Sequence, residues 1–109
     1  MIARLTADTQ RDLLRGIAWF EKISTGLGDQ FELEFYRALD RIKSDPYLFA
    51  PNHKGYRPCR LKRFTAVVYF RIDEELIIVV GLFTSGEDET NLNDRLQDPR
   101  LRYGEICYE

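Results

Sequence analysis

The sequence predicts an α+β domain, an N-terminal antiparallel helical hairpin packed on a three- to four-stranded antiparallel sheet. Two observations carry that expectation. Apolar residues recur at helical spacing from Leu13 to Ile42, and after Asp45-Pro46 the period falls to two. The supply of core material agrees, because seven Phe, six Tyr and one Trp among 109 residues suffice for one core. No repeat, low-complexity tract or linker divides the chain, so 1–109 reads as a single domain.

Met1–Leu5 reads as a short opening strand. Thr6 stands where a helix N-cap belongs, ahead of Leu13, Ile17 and Phe20 at i, i+4, i+7, with Leu14 and Ala18 beside them. Arg11, Asp12, Arg15, Glu21 and Lys22 fill most of the remaining positions, which makes an amphipathic helix. Ser24-Thr25-Gly26 closes it. The second helix is expected to start at an Asp29 cap with Glu32 three residues on. Its stripe is Phe31, Phe35, Leu39 and Ile42, widened by Leu33 and Tyr36, and Pro46 stops it. So short a link implies that the two helices lie antiparallel.

Tyr47–Gly55 is a loop. From Tyr56 onward Cys59 and Leu61 alternate with Arg60 and Lys62, and then Ala66, Val68, Phe70 and Ile72 alternate with Val67, Tyr69 and Arg71. Asp73-Glu74-Glu75 turns the chain into Leu76–Phe83, the most apolar strand of a three-stranded meander. The hairpin is expected to meet this sheet through Leu13, Ile17, Phe31, Phe35, Leu39, Val68, Phe70, Ile78 and Val80. Beyond Thr84 the sequence is polar and without period, and Ile106-Cys107-Tyr108 reads as a short edge strand.

Several classes are excluded. The longest apolar run, Leu76–Phe83, is far below the ~20 residues of a membrane span. Met1–Gln10 interleaves charge with its apolar residues, unlike a signal peptide. Cys59 and Cys107 make neither a disulfide framework nor a zinc site, so no metal or cofactor is implied and the thiols read as reduced, in the cytoplasm. Net charge is only −2, yet it is segregated. Lys54, Arg57, Arg60, Lys62, Arg63 and Arg71 form a stretch without an acid, whereas Asp73, Glu74, Glu75, Glu87, Asp88, Glu89 and Asp94 form one without a base. Such runs either lie on solvated faces or steer a partner.

The ordered set of segments is the most specific signal. An Asp-Leu-Leu helix is followed by Gly26-Leu27-Gly28-Asp29-Gln30-Phe31, then by Ile42-Lys43-Ser44-Asp45-Pro46-Tyr47. Tyr56-Arg57-Pro58-Cys59-Arg60-Leu61-Lys62-Arg63-Phe64 comes next, and then Tyr69-Phe70-Arg71-Ile72. Together these resemble the RelE/ParE superfamily of bacterial type II toxin–antitoxin toxins (plasmid stabilisation proteins), over about Thr6 to Arg95. The resemblance implies a toxin neutralised by a cognate antitoxin. Many members continue the last strand into His-x-x-Arg, where this chain has Phe83-Thr84-Ser85-Gly86-Glu87-Asp88, so no catalytic role is carried onto those positions.

That departure favours ParE-like members, which resemble the nucleases in fold but act by inhibiting DNA gyrase. The alternatives stay open: a RelE-like ribosome-dependent mRNA endonuclease, or a degenerate relative that only binds protein. A nuclease must deprotonate a 2′-hydroxyl, protonate a leaving oxygen and stabilise phosphate charge. Its weak candidates here are Arg60, Arg63 and Tyr103, with Tyr108 also near the end; His53 is a lone loop histidine. For the antitoxin, whose binding segment is typically acidic and apolar, the expected contacts are Trp19, Arg60, Lys62 and Arg71. Of Trp19 and Phe20, one is expected in the core and the other exposed as an anchor.

Overall fold

Thr6 ends the first strand and caps the first helix. In the computed structural model, which describes residues 1–52 and 54–84 and the backbone of 106–108, strand β1 (Ile2–Thr6) runs directly into helix α1 (Ala7–Ile23). The Thr6 hydroxyl accepts from the Thr9 amide at 3.2 Å, the expected N-cap. Helix α2 (Leu27–Ser44) follows, then one 3-10 turn at Pro46–Leu48. Strands β2 (Arg57–Arg60), β3 (Ala66–Asp73), β4 (Leu76–Thr84) and β5 (Ile106–Tyr108) complete the order.

Asp29 is not the cap of α2. The helix begins at Leu27 after Gly26, which takes a left-handed φ of 90° that favours glycine. The anion at this N-terminus is Glu21 of α1, whose carboxylate accepts from Gly26 N–H at 3.0 and 3.1 Å and from Gly28 N–H at 3.0 Å. A carboxylate from the preceding helix thus does what an Asx cap would do. Replacing Glu21→Ala is expected to cost about 1 kcal/mol in urea unfolding, the usual size of a lost cap. Asp29→Ala, by contrast, should cost only tenths of that.

The α+β layering is as the sequence implies, but the sheet is mixed. Its order is β2-β3-β4-β1-β5, with β2-β3, β3-β4 and β1-β5 antiparallel and β1-β4 parallel. Parity explains this. The hairpin returns the chain to the end where β1 began, since the Met1 amine donates to the Lys43 carbonyl at 3.2 Å. Two further reversals then leave β4 pointing the way β1 does. The expected edge strand at Ile106–Tyr108 is present, and it pairs with β1.

The core divides between the two faces of the sheet. Leu13, Phe31, Phe35, Leu39 and Ile42 of the helices pack with Val68, Phe70, Ile77, Val79 and Leu82. Val67, Tyr69, Ile78, Val80 and Phe83 form a separate buried cluster. Ile78 and Val80 therefore do not meet the hairpin as expected; Ile77 and Val79 do. Leu76–Phe83 is apolar throughout, so its alternation has no polar phase marker, and a bulge opposite Tyr69/Phe70 adds a residue to β4.

Both helices are rotated relative to their expected stripes. Leu14 and Ala18 are exposed while Asp12 is buried, and on α2 Leu33 and Tyr36 are exposed. Close helix contact follows from two glycines. A Cβ on Gly16 would stand 2.5 Å from Cε2 of Phe31, and one on Gly28 would stand 2.6 Å from the Ile17 carbonyl.

Candidate functional site

Pairing of β1 with β4 ends at Leu5↔Val79, five residues before β4 itself ends at Thr84. Side chains of α1 occupy the edge that β1 leaves. The Thr9 hydroxyl donates to the Val79 carbonyl at 2.9 Å, and the Asp12 carboxylate accepts from the Leu82 amide at 3.2 Å. Arg15 donates to the same carboxylate at 2.7 Å. Thr9, Asp12, Gly16 and Trp19 are thus a second stripe of α1, beside the apolar one and one helical turn apart.

This stripe, Phe31 and the end of β4 enclose a cavity of about 370 Å³ lined by Asp12, Arg15, Gly16, Trp19, Phe31, Leu82 and Thr84. Its floor is apolar. At its rim Trp19 is 61% exposed, whereas Phe20 turns inward, 4.8 Å from the Phe31 ring and 4.9 Å from that of Phe64. The expected division between these two aromatics is therefore what the helix geometry produces.

The expected basic face is less uniform than its alternation implied. Arg60 is exposed, on the sheet face away from the helices, and its carbonyl accepts from Arg41 at 2.8 Å. β2 ends there, so Lys62 and Arg63 lie in a turn closed by Leu61 N–H to the Ala66 carbonyl at 2.9 Å. Both are exposed, and Arg63 has a left-handed φ of 72°, strained for a non-glycine. Phe64 plugs the turn into the Phe20–Phe31 aromatic cluster. The cationic turn is thereby fixed against the stretch of α1 that carries Trp19.

Arg71 stands apart. It shares the face of Arg60, but Arg60 pairs with Val67 and Arg71 lies four residues further along β3, about 13 Å at the usual strand rise. It is half-buried, pairs with Asp73 at 3.3 Å, and faces Tyr56. Burial raises the Tyr56 hydroxyl above its ordinary pKa although Arg71 opposes the shift. The Cys59 thiol is likewise raised by burial, against the lowering effect of Arg41, which makes it a poor nucleophile at neutral pH. Of the remaining sequence candidates, His53, Tyr103 and the side chains of Cys107 and Tyr108 lie outside the described residues. Among the described residues no group of three His, Cys, Asp or Glu could hold a metal ion, and no helix is long and apolar enough to cross a membrane.

The arrangement is an apolar cleft with an exposed indole at its rim, and a cationic turn anchored through Phe64 to the rings of Phe20 and Phe31. Of the residues named from sequence as partner contacts, Trp19 lines this cleft; Asp12, Gly16 and Thr84, which also line it, carried no such expectation. The spacing of Thr9, Asp12, Gly16 and Trp19 was the signal that could have found the groove.

No protein-family model and no curated protein matches this sequence. Among solved structures, a chain of the "Chromosomal ParDE TA system from P. aeruginosa" aligns with a TM-score of 0.69 and 15% identity, over 77% of this chain and 95% of that one. At that identity the likeness establishes a shared fold, two helices on a mixed sheet, and it does so over nearly the whole of the other chain.

Proposed function

We propose that the protein is the toxin component of a type II toxin–antitoxin module, ParE-like, which binds its cellular target rather than cleaving RNA and is held inactive by a cognate antitoxin. The fold shared with a ParDE chain supports the module. The observation that carries the partner is the exposed Trp19 at the rim of an apolar cleft, next in sequence to Phe20, against which Phe64 of the Lys62–Arg63 turn packs. An apolar and acidic peptide segment matches this chemistry: its apolar side chains fill the cleft and its carboxylates meet the turn. Arg71 contributes least, because Asp73 already offsets its charge. DNA gyrase is the target that the ParE-like resemblance suggests.

The test is binding to the product of the neighbouring gene. Trp19→Ala is expected to weaken that complex by about thirtyfold, a hot-spot loss of ~2 kcal/mol. The double change Arg60→Ala/Lys62→Ala should weaken it by less and flatten its dependence on salt. Neither set should unfold the protein, since all three side chains are exposed. A complex indifferent to both would remove the groove and turn as the antitoxin site. In parallel, purified protein should inhibit gyrase supercoiling, and it should leave mRNA on translating ribosomes without new codon-specific ends. Cleavage abolished by Arg60→Ala or Tyr103→Ala would establish the endonuclease instead.

A further inference from the structure

The flank of α2 that faces β2 is lined by charge. Glu34, Arg37 and Arg41 follow one another at i, i+3 and i+7, which places them on one side of the helix. Arg41 shows which side, because it donates to the Arg60 carbonyl at 2.8 Å and to the Cys59 sulfur at 3.7 Å. Ten residues nearer the start of α2, the Phe31 ring holds that of Phe64 at 5.3 Å between centroids. The turn from Arg60 to Phe64 is therefore tied to α2 at both ends. Lys62 and Arg63, both exposed, lie between the ties, as Glu34 and Arg37 do on the helix. The Arg60 side chain points to the far face of the sheet and takes no part.

Arg37, Arg41, Lys62 and Arg63 thus share a ridge about 15 Å long, the rise of α2 from Phe31 to Arg41. Among the described residues only the first of these four has a carboxylate partner, Glu34 at 3.1 Å, and that acid is 4% exposed. With its single acid buried and already paired, the ridge presents positive charge to solvent. The acidic turn after β3 does not offset it. Asp73 lies six residues along β3 from Val67, the partner of Arg60, which is about 20 Å and well beyond the ~8 Å screening length of physiological salt.

Two kinds of polyanion could meet four cations in a row, and their charge densities differ. An acidic peptide strand offers one face a carboxylate at every second residue, about 6.6 Å apart, so about two meet the ridge. One strand of duplex DNA carries a charge about every 3.4 Å, so about four do. The second count matches. Three of the four cations are arginines, whose guanidinium forks fit phosphate oxygens two at a time. Unpaired strands are held by stacking on aromatic side chains, and the ridge exposes none. Phe64 is turned into the Phe20–Phe31 cluster, and Tyr36 stands on the other flank of α2.

We infer that this ridge binds the phosphate backbone of duplex DNA, without regard to base sequence. The inference goes beyond the toxin reading: the proposed antitoxin contact calls on the groove and the turn, whereas Arg37 and Arg41 enter only here.

Fluorescence anisotropy of a labelled duplex of about 20 base pairs, titrated with the full chain across a salt series, tests it. Binding is expected at low salt, with log affinity falling against log salt at a slope of about −3.6, set by about four phosphates. Lys62→Gln/Arg63→Gly should make that slope shallower by about two. Glu34→Gln/Arg37→Gln, which removes the ion pair as a whole, should make it shallower by about one. Lys43→Gln, exposed on the opposite flank of α2, should leave it unchanged. Because Arg63 holds a left-handed φ, glycine there should unfold no earlier in urea than wild type, so that weaker binding is not lost fold. A duplex that stays unbound at low salt overturns the inference, as does a slope that the turn variant leaves at the wild-type value. Displacement of the duplex by polyglutamate at equal charge would make the ridge a protein site and overturn it too. So would tighter binding of single-stranded DNA or RNA than of the duplex.

Discussion

Phe31→Ala is expected to lower the stability of the protein by about 3–5 kcal/mol, the usual cost of removing a fully buried aromatic ring. Phe31 is wholly buried and contacts the rings of Phe20 at 4.8 Å and Phe64 at 5.3 Å, so it joins α1, α2 and the β2–β3 turn. The same ring explains Gly16. Alanine is the better helix former by up to ~1 kcal/mol, so Gly16→Ala would be stabilising on an open helix surface. Here its Cβ would stand 2.5 Å from the Phe31 ring, and overpacking of that kind costs about 1–3 kcal/mol. Gly16→Ala should therefore destabilise wild type yet stabilise the Phe31→Leu variant. Urea unfolding of the four proteins gives the coupling energy, and its sign is the prediction. Stabilisation by Gly16→Ala in the wild-type background would mean that the helices are not in this close contact.

The sequence made the helices legible because each has a stripe that only one geometry can bury. Phe31, Phe35, Leu39 and Ile42 are buried as their spacing requires, and Pro46 ends α2 one residue past Asp45, its C-cap. Phase was harder to read than period. Leu14 and Asp12 exchange their expected environments because the Leu82 amide, left without a strand partner, takes Asp12 as its acceptor. A hydrogen bond between residues 70 apart has no local signature. The Glu21 cap was hidden for a related reason. Sequence rules look for the capping anion beside the helix start, and here it arrives from the preceding helix. The parallel pairing of β1 follows from counting reversals of the chain, which hydrophobic pattern does not encode.

The site was partly legible. Exposed Trp19 beside inward Phe20 follows from adjacent positions on one helix, and Arg60 outward from Cys59 follows from strand alternation. Their combination does not follow. The cleft exists because β1 is shorter than β4, and the cationic turn is anchored to the helices because Phe64 packs edge-on against the paired rings of Phe20 and Phe31. The basic run is contiguous in sequence, but β3 carries Arg71, on the same face, about 13 Å from the register of Arg60. Charge clustered in sequence becomes a charged patch only where the register allows it.

Asp12→Ala is expected to cost about 2–3 kcal/mol, which is large for a helix residue whose ion-pair partner is exposed. The size comes from the sheet. Asp12 is 5% exposed and accepts from the amide of buried Leu82, and removing the carboxylate takes that acceptor away. An unsatisfied buried donor costs about 1–3 kcal/mol, and a hydrogen bond to a charged group is itself worth about 1.5–3 kcal/mol. Arg15 contributes far less, because its side chain is 71% exposed and water competes for its charge, so Arg15→Ala should cost under about 1 kcal/mol. Asp12→Asn separates the two effects, since its side-chain oxygen still accepts from Leu82 while the ion pair is lost. It should fall between them. Hydrogen exchange at the Leu82 amide provides the site-specific readout: fast in Asp12→Ala, protected in Asp12→Asn and Arg15→Ala. If Asp12→Ala costs no more than Arg15→Ala and leaves that amide protected, another group closes the edge of β4, and Asp12 serves the groove only as the charge partner of Arg15.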